Sequence, residues 1–500
     1  MSSTIKSFAL QGVEAVPVDV EIDMLRRLPS VAVVGLPASQ TKELAERVRS
    51  AVSNSGYDFP RQRVVVNLAP ADVRKEGTAF DLPVALGILA HAKEFVTDKL
   101  FVFGELSLNG HIRPVRGAIA AGKLAVENDL TVVCSAQQGR EAALYGARVI
   151  AGETLRDVVE VLWGEREVEY VSEALPEPKE SSIDFADVRG QDRAIEEIAY
   201  LVAGGFPVLL SGPRGAGKSM LARRISTILP EMRDEEGRMT ALIHDAAGLS
   251  PGTMQARPFR APHHTVTRQG LIGDNKGRPG EATLAHNGVL FLDEVREFQR
   301  GTLDGLWSVM EHGQADVMMA AGPIKYPAKT IIVAATTGCP CGSDFCTCTD
   351  EMRARWAKRH EDFLDRFMRV DVPAIDMSAW KQTKNGPSSA SLREIVARAW
   401  VNQQANNPGG KLTADLTNEE VRLVWSRLFK GDPMDIDAAR MQIAAVYFQD
   451  AQGRHTSWTA NNDEAAALDL LETVLMGGSF DLSDWGGDLE AVQRWVDSRS

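Results

Sequence analysis

No stretch of about 18 consecutive apolar residues occurs in the chain, so the sequence predicts no transmembrane helix. Its start, Met-Ser-Ser-Thr-Ile-Lys, lacks the apolar core of a secretory signal, and the expected compartment is cytoplasmic. Cysteine is scarce. Of five, four fall within residues 339–348, which excludes a secreted disulfide framework and leaves a metal-like cluster. Positive charge is in deficit: a formal net charge of −13 argues against a general nucleic-acid coat. A locally basic channel is still compatible with it, because a local field can differ in sign from the total. There is no internal repeat, no low-complexity segment and no His-Glu-x-x-His metalloprotease pattern. What remains is the composition of an ordinary globular protein, 44% hydrophobic and 25% charged, and 500 residues hold roughly three domains.

Against that background one segment carries explicit chemistry. Residues 212–219, Gly212-Pro213-Arg214-Gly215-Ala216-Gly217-Lys218-Ser219, form a complete G-x-x-x-x-G-K-[ST] phosphate loop. The apolar run Val208-Leu209-Leu210 leads in, and Met220-Leu221-Ala222 leads out with helical spacing. Glycines there let backbone N–H groups face phosphates at a helix N-terminus. Lys218 is expected to reach the β- and γ-phosphates of ATP, and the Ser219 hydroxyl to ligate Mg²⁺. Downstream, Val289-Leu290-Phe291-Leu292 reads as a parallel strand buried on both faces, ending in Asp293-Glu294. Asp293 is expected to hold the magnesium, and Glu294 to deprotonate the attacking water.

The remaining sequence divides around this unit. Residues 1–165 alternate strand-like runs (Val31–Val34, Val64–Val66, Leu100–Phe103) with helical patterns near 40–54 and 81–95. Residues 166–183, polar and with Pro176 and Pro178, read as a linker. A nucleotide domain spans 184–375, a helical region 376–475, with helices expected at Leu392–Trp400, Asn418–Leu428 and Asp437–Ala451, and an acidic tail 476–500. The fold class is α/β multidomain.

Three further segments point to a family. Asp184-Phe-Ala-Asp-Val-Arg-Gly190-Gln191 resembles the entry box of magnesium-chelatase-like AAA+ ATPases. Pro258-Phe-Arg-Ala-Pro-His263-His264, with Arg278-Pro-Gly-Glu281 and Leu284-Ala-His-Asn-Gly288, is similar to the ComM/YifB branch. The resemblance covers about residues 5–375. It implies an ATPase that assembles as a homo-oligomeric ring, a hexamer, with DNA as partner and no membrane, whose ComM members migrate branched DNA. A chelatase-type or chaperone-like remodeller of a protein client is the alternative. Phe363-Leu-Asp-Arg366-Phe367 matches the family's Leu-Asp-Arg box, which implies that Arg366 is an arginine finger acting on a neighbour's nucleotide. Where the family ends its sensor strand in Met-Asn-Pro, this chain has Thr336-Thr337-Gly338, so Thr337 takes the sensor position. Arg440 is the candidate for a second sensor in the C-terminal helical lid.

The N-terminal domain resembles a Lon-protease-like (S5-type) α/β domain. Ala79 stands at the nucleophile's position and Ile119 at the position of the partner lysine. A Ser–Lys dyad needs both a nucleophile and its base. The resemblance therefore implies a scaffold or DNA-contacting module without peptidase chemistry.

Two clusters stay open. Arg257, Arg260, His263, His264, Arg268, Lys276 and Arg278 lie within residues 256–278 with Asp274 as the one acid. They read either as a loop that tracks a phosphate backbone or as structural pairs. Lys325, Tyr326 and Lys329 are expected at a second hairpin tip. Cys339, Cys341, Cys346 and Cys348 form two C-x-C pairs able to hold a structural Zn²⁺, the alternative being reduced, unliganded thiols. Cys134, beside an apolar run, reads as core.

Overall fold

The computed structural model describes residues 3–73, 75, 78–93, 95–171, 183–249, 256–319, 322–342, 346–374, 385–429, 433 and 436–452. The expected tail and the end of the helical region lie outside these residues, as does most of the expected linker.

Seven strands form the N-terminal sheet: β1 (Ser3–Gln11), β2 (Glu14–Leu25), β3 (Ser30–Val34), β4 (Arg63–Ala69), β5 (Leu100–Val102), β8 (Thr131–Ser135) and β9 (Val149–Gly152). Their order is β3-β4-β2-β1-β5-β8-β9. A small hairpin, β6 (Glu105–Leu106) with β7 (Ile112–Arg113), stands apart. The sequence reading found the flanking strands but not the central β1–β2 hairpin. Its signal was present as period-two alternation. Val18, Val20 and Ile22 are fully buried, while Glu21 and Asp23 between and beyond them face outward. The predicted helix over 81–95 is shorter, Asp81–Leu89. The expected linker begins too early, because Tyr170 bridges Ile150 and Val171 N–H donates to Val149 O at 3.0 Å, which ties this stretch to β9.

The second sheet is built from β10 (Val208–Ser211), β11 (Phe259–Arg260), β12 (Val289–Leu292), β15 (Ile331–Thr336) and β16 (Met368–Asp371), in the order β11-β12-β15-β10-β16, all parallel. A hairpin of β13 (Gln314–Met319) and β14 (Gly322–Pro327) precedes β15. Strands buried on both faces need continuous apolar runs, and Val289, Leu290, Phe291 and Leu292 are at most 2% exposed. Helices Ser389–Asn406 and Ile436–Ala451 pack on helix Asp192–Gly204, and helix Asn418–Leu428 packs on Ile436–Ala451. Ile195, Ile198, Val396 and Ile443 share one core with the sheet.

The two sheets' domains are joined by an apolar seam, in which Val13, Ile119 and Leu144 share a cluster with Ile243, Leu271 and Val317.

Candidate active site

Sheet order and register place the site. Ser211 pairs with Thr336, and Leu292 with Ala334, so β10, β15 and β12 end at nearly one level. The loop after β10 and the acids after β12 therefore emerge side by side at the carboxyl ends of the strands, where α/β folds bind ligands.

Gly215 and Gly217 hold left-handed backbone at φ 82° and 94°, a conformation that suits glycine. Gly212 is needed for space, since a Cβ there would lie 2.0 Å from Val372 O. Helix Lys218–Ile228 starts at the end of this turn, so its unpaired N–H groups face the loop. Lys218 Nζ donates to Gly212 O at 2.7 Å and Pro213 O at 2.6 Å. Burial lowers the Lys218 pKa against the opposing pull of Asp293 and Glu294.

Ser219 Oγ donates to Asp293 Oδ2 at 2.8 Å. These hydroxyl and carboxylate oxygens are the hard donors a magnesium ion takes, so the pair fits that ion. Asp293 Oδ1 accepts from Glu294 N–H at 3.0 Å, and Glu294 sits in left-handed backbone at φ 50°. A non-glycine residue there is strained, which concentrates at functional sites. Arg214 approaches the Glu294 carboxylate at 4.0 Å. Lys218, Ser219, Met220, Asp293, Glu294 and Thr337 line one pocket. Gly212 and Pro213 line the adjoining cavity, and Ala216 is buried.

Thr337 is buried, and its hydroxyl donates to Cys339 O at 2.8 Å. Arg366 lies two residues before β16, whose Met368 pairs with Val208 at the start of β10. That is the sheet end opposite the phosphate loop. About 13 Å of strand separates Val208 from Gly212. Arg366 pairs with Glu311 at 3.0 Å and covers the Trp307 ring at 4.3 Å, with its side chain 44% exposed. Arg440 is not brought to the phosphate loop. It donates to Leu416 O at 3.0 Å and Asn418 Oδ1 at 2.7 Å within the C-terminal helical region.

The basic cluster splits. Arg257 is buried, donating to Asn287 O at 2.7 Å and pairing with Glu236 at 3.2 Å, and Arg260 forms a bidentate pair with Glu281 at 2.6 and 2.8 Å. Both are structural, which corrects their inclusion among backbone-tracking residues. His263 and His264 stack at 4.1 Å, with His263 also accepting from or donating to Thr265. Arg268, Lys276 and Arg278 are exposed. Lys325 is exposed on β14 opposite Asp316. Tyr326 is fully buried rather than at a tip, and Lys329 lies beyond the hairpin, 3.9 Å from Asp415. Strand alternation explains this, since Tyr326 follows Lys325 and must face the other side.

In the N-terminal domain Ile119 is fully buried in the seam. Thr78 Oγ1 donates to Glu105, and Lys75 Nζ to Pro70 O and Val73 O. Lys75 Nζ is thus engaged by backbone carbonyls and the Thr78 hydroxyl by a carboxylate.

The cysteine sulfurs of 339, 341, 346 and 348 all lie within 4.8 Å of one another. Cys134 is buried, as expected of core. Two relationships escaped the sequence reading. Arg214 N–H donates to Gly342 O at 2.9 Å, which ties the phosphate loop to the cysteine loop. Asp245 accepts from Gly117 and Ile119 N–H across the seam. No local pattern announces either, because each joins segments far apart in sequence.

Comparison with known proteins agrees with this geometry. A model described as "Magnesium chelatase, subunit ChlI" matches residues 184–380, and one for "Subunit ChlI of Mg-chelatase" matches 20–138. Uncharacterized protein YifB of Escherichia coli is 36% identical over 433 residues, covering 84% of this chain and 85% of that protein. Competence protein ComM of Haemophilus influenzae is 36% identical over 435 residues, covering 83% and 85%. A Bifidobacterium adolescentis "AAA ATPase forming ring-shaped complexes" is 27% identical over 195 residues, covering 34% and 37%. No helix among the described residues is long and apolar enough to cross a membrane. A phosphate loop, its acidic partner and this extent of identity together place the chain in the magnesium-chelatase-like AAA+ family of ComM and YifB.

Proposed function

We propose that this chain is an ATP-hydrolysing ring motor that remodels or branch-migrates DNA. The observation that carries the hydrolytic part is the 2.8 Å contact of Ser219 Oγ with Asp293 Oδ2 at the level ends of β10 and β12. Backbone N–H groups of the phosphate loop cradle the triphosphate, and Lys218 exchanges its loop carbonyls for phosphate oxygens. Ser219 and Asp293 would hold Mg²⁺, which would supply positive charge against the phosphate groups. Glu294 takes the proton of the attacking water. Thr337, whose own proton is committed to Cys339 O, can only accept, and orients that water by accepting from it.

Arg366 supports the ring. It lies at the far end of the sheet from its own loop, so it serves only a neighbour's nucleotide. The relative named for ring-shaped complexes is consistent with that assembly.

For DNA, the support is the exposed trio Arg268, Lys276 and Arg278, the exposed Lys325, and the similarity to ComM. The second reading, a chelatase-like or chaperone-type remodeller of a protein client, is favoured by the loss of Arg257 and Arg260 to internal pairs in a chain of net charge −13. The test is ATPase turnover against a panel of duplex, single-stranded, forked and four-way DNA, with particle size measured alongside in a non-hydrolysable ATP analogue. Stimulation by branched or single-stranded DNA supports the first reading. An unchanged rate with every DNA, raised by a co-purifying protein, supports the second.

A further inference from the structure

We infer that Cys339, Cys341, Cys346 and Cys348 bind one zinc ion, and that this ion holds the phosphate loop and Thr337 in their working positions. The sulfur set is the first ground. Cys339 and Cys341 sulfurs are 3.1 Å apart, Cys341 and Cys346 3.7 Å, and Cys346 and Cys339 3.3 Å, all four lying within 4.8 Å. Zn–S bonds of about 2.3 Å in a tetrahedron put sulfurs about 3.8 Å apart, so small adjustments admit the ion. None of these separations is a disulfide bond. No other group of three or more His, Cys, Asp or Glu side chains converges in this way among the described residues.

Charge is the second ground. Four thiolates around a divalent cation leave a net double negative charge. Arg353, paired with Asp350, lines the same cavity as Cys339 and Cys346 and brings positive charge beside the cluster. Binding releases the thiol protons to solvent, which makes it tighter as pH rises.

The coupling rests on backbone contacts at both ends of the cluster. Gly342 O accepts from Arg214 N–H at 2.9 Å, and Gly342 has φ +63°. A Cβ at Gly342 would lie 2.7 Å from Arg214 Cγ, so the loops meet with no room for a side chain. On the other side Cys339 O accepts the Thr337 hydroxyl at 2.8 Å, while Thr337 O accepts from the Trp356 indole N–H at 2.9 Å. The cysteine loop therefore buttresses the two walls of the nucleotide pocket, and fixing four of its side chains to one ion fixes those walls. Groups that orient a site in this way are commonly worth about ten- to a hundredfold.

The effect on turnover rests on the ATPase reading, whereas the metal site does not. The experiment uses the full chain purified without added metal. Elemental analysis should find one zinc per chain on the four-ligand geometry, and X-ray absorption should find sulfur as its only ligand. Titration with an organomercurial should release the zinc to a chromophoric chelator, and the affinity for a fluorescent ADP should fall about tenfold in step with that release. A Cys341→Ser/Cys346→Ser double variant should lose zinc and show the same weakening, and Cys134→Ala should retain both. Zinc below about a tenth of the chain concentration, or iron in its place, overturns the site. Full release of zinc with ADP affinity unchanged overturns the coupling. A chain that binds zinc and ADP but never hydrolyses ATP counts against the ATPase reading alone.

Discussion

Asp245 of the ATPase domain accepts a 2.8 Å hydrogen bond from the Ile119 backbone N–H of the N-terminal domain. Its other oxygen accepts from Gly117 N–H at 3.2 Å, so one carboxylate caps helix Ala118–Glu127 across the seam. Ile119 itself is fully buried in the apolar seam, so this position is part of the interdomain joint.

Burial pushes the Asp245 carboxyl up from 3.8 to about 7, with nearby Glu141 adding to the rise against the two N–H bonds. Between these values the folded chain holds a proton that the unfolded chain has lost. The contribution is therefore complete below 3.8 and disappears as pH rises to about 7. The thermal midpoint should fall between about pH 4 and 7, and Asp245→Asn should flatten part of that slope. Calorimetry of both chains across this range checks it. Identical slopes would contradict the assignment.

Glu294→Gln should bind ATP with near-normal affinity while turnover falls at least about a hundredfold. The loop, Lys218 and the Ser219–Asp293 pair survive, but the base is gone. Equilibrium binding and phosphate release, measured on one preparation, separate the two effects. Retained hydrolysis removes Glu294 from its role.

Arg257→Ala should lower stability by about 3 kcal/mol, because a buried guanidinium leaves behind the half-buried Glu236 and three backbone carbonyls. Denaturant unfolding reads this. The variant's DNA affinity, measured where it is folded, should keep the wild-type salt dependence.

Arg268→Ala and Lys276→Ala should behave in the opposite way. Both residues are exposed, so stability stays within about 0.5 kcal/mol. If each meets one phosphate, each substitution lowers the slope of log affinity against log salt by about 0.7 to 0.9. A salt titration that leaves the slope unchanged argues for the protein-client reading.

How much of this was legible in the sequence varied with the range of the interaction. The phosphate loop and Leu292-Asp293-Glu294 were readable because each packs its signal into one contiguous segment. Their meeting was expected from the motifs, whereas the arrangement that achieves it, with β15 lying between β10 and β12, was not. The three C-terminal helices showed through their periodicity. The central β1–β2 hairpin did not, although Val18, Val20 and Ile22 alternate with acids. Charge alone misjudged Arg257 and Arg260, whose partners Glu236 and Glu281 lie 21 positions away in each case. Tyr326 was misplaced for a simpler reason. Its neighbour Lys325 is on the opposite face of the same strand. The tie between Arg214 and Gly342 is a backbone contact that no side-chain pattern encodes.

The central claim, that ATP is hydrolysed at a site shared by adjoining copies, is tested most directly by mixing two inactive variants. Lys218→Ala lacks a working loop but donates Arg366, and Arg366→Ala lacks the finger but keeps its loop. Each alone should be nearly inert, and an equal mixture, allowed to exchange subunits, should recover ATP turnover well above the sum of the two. A mixture that forms mixed rings yet stays as inactive as its parts would contradict the account.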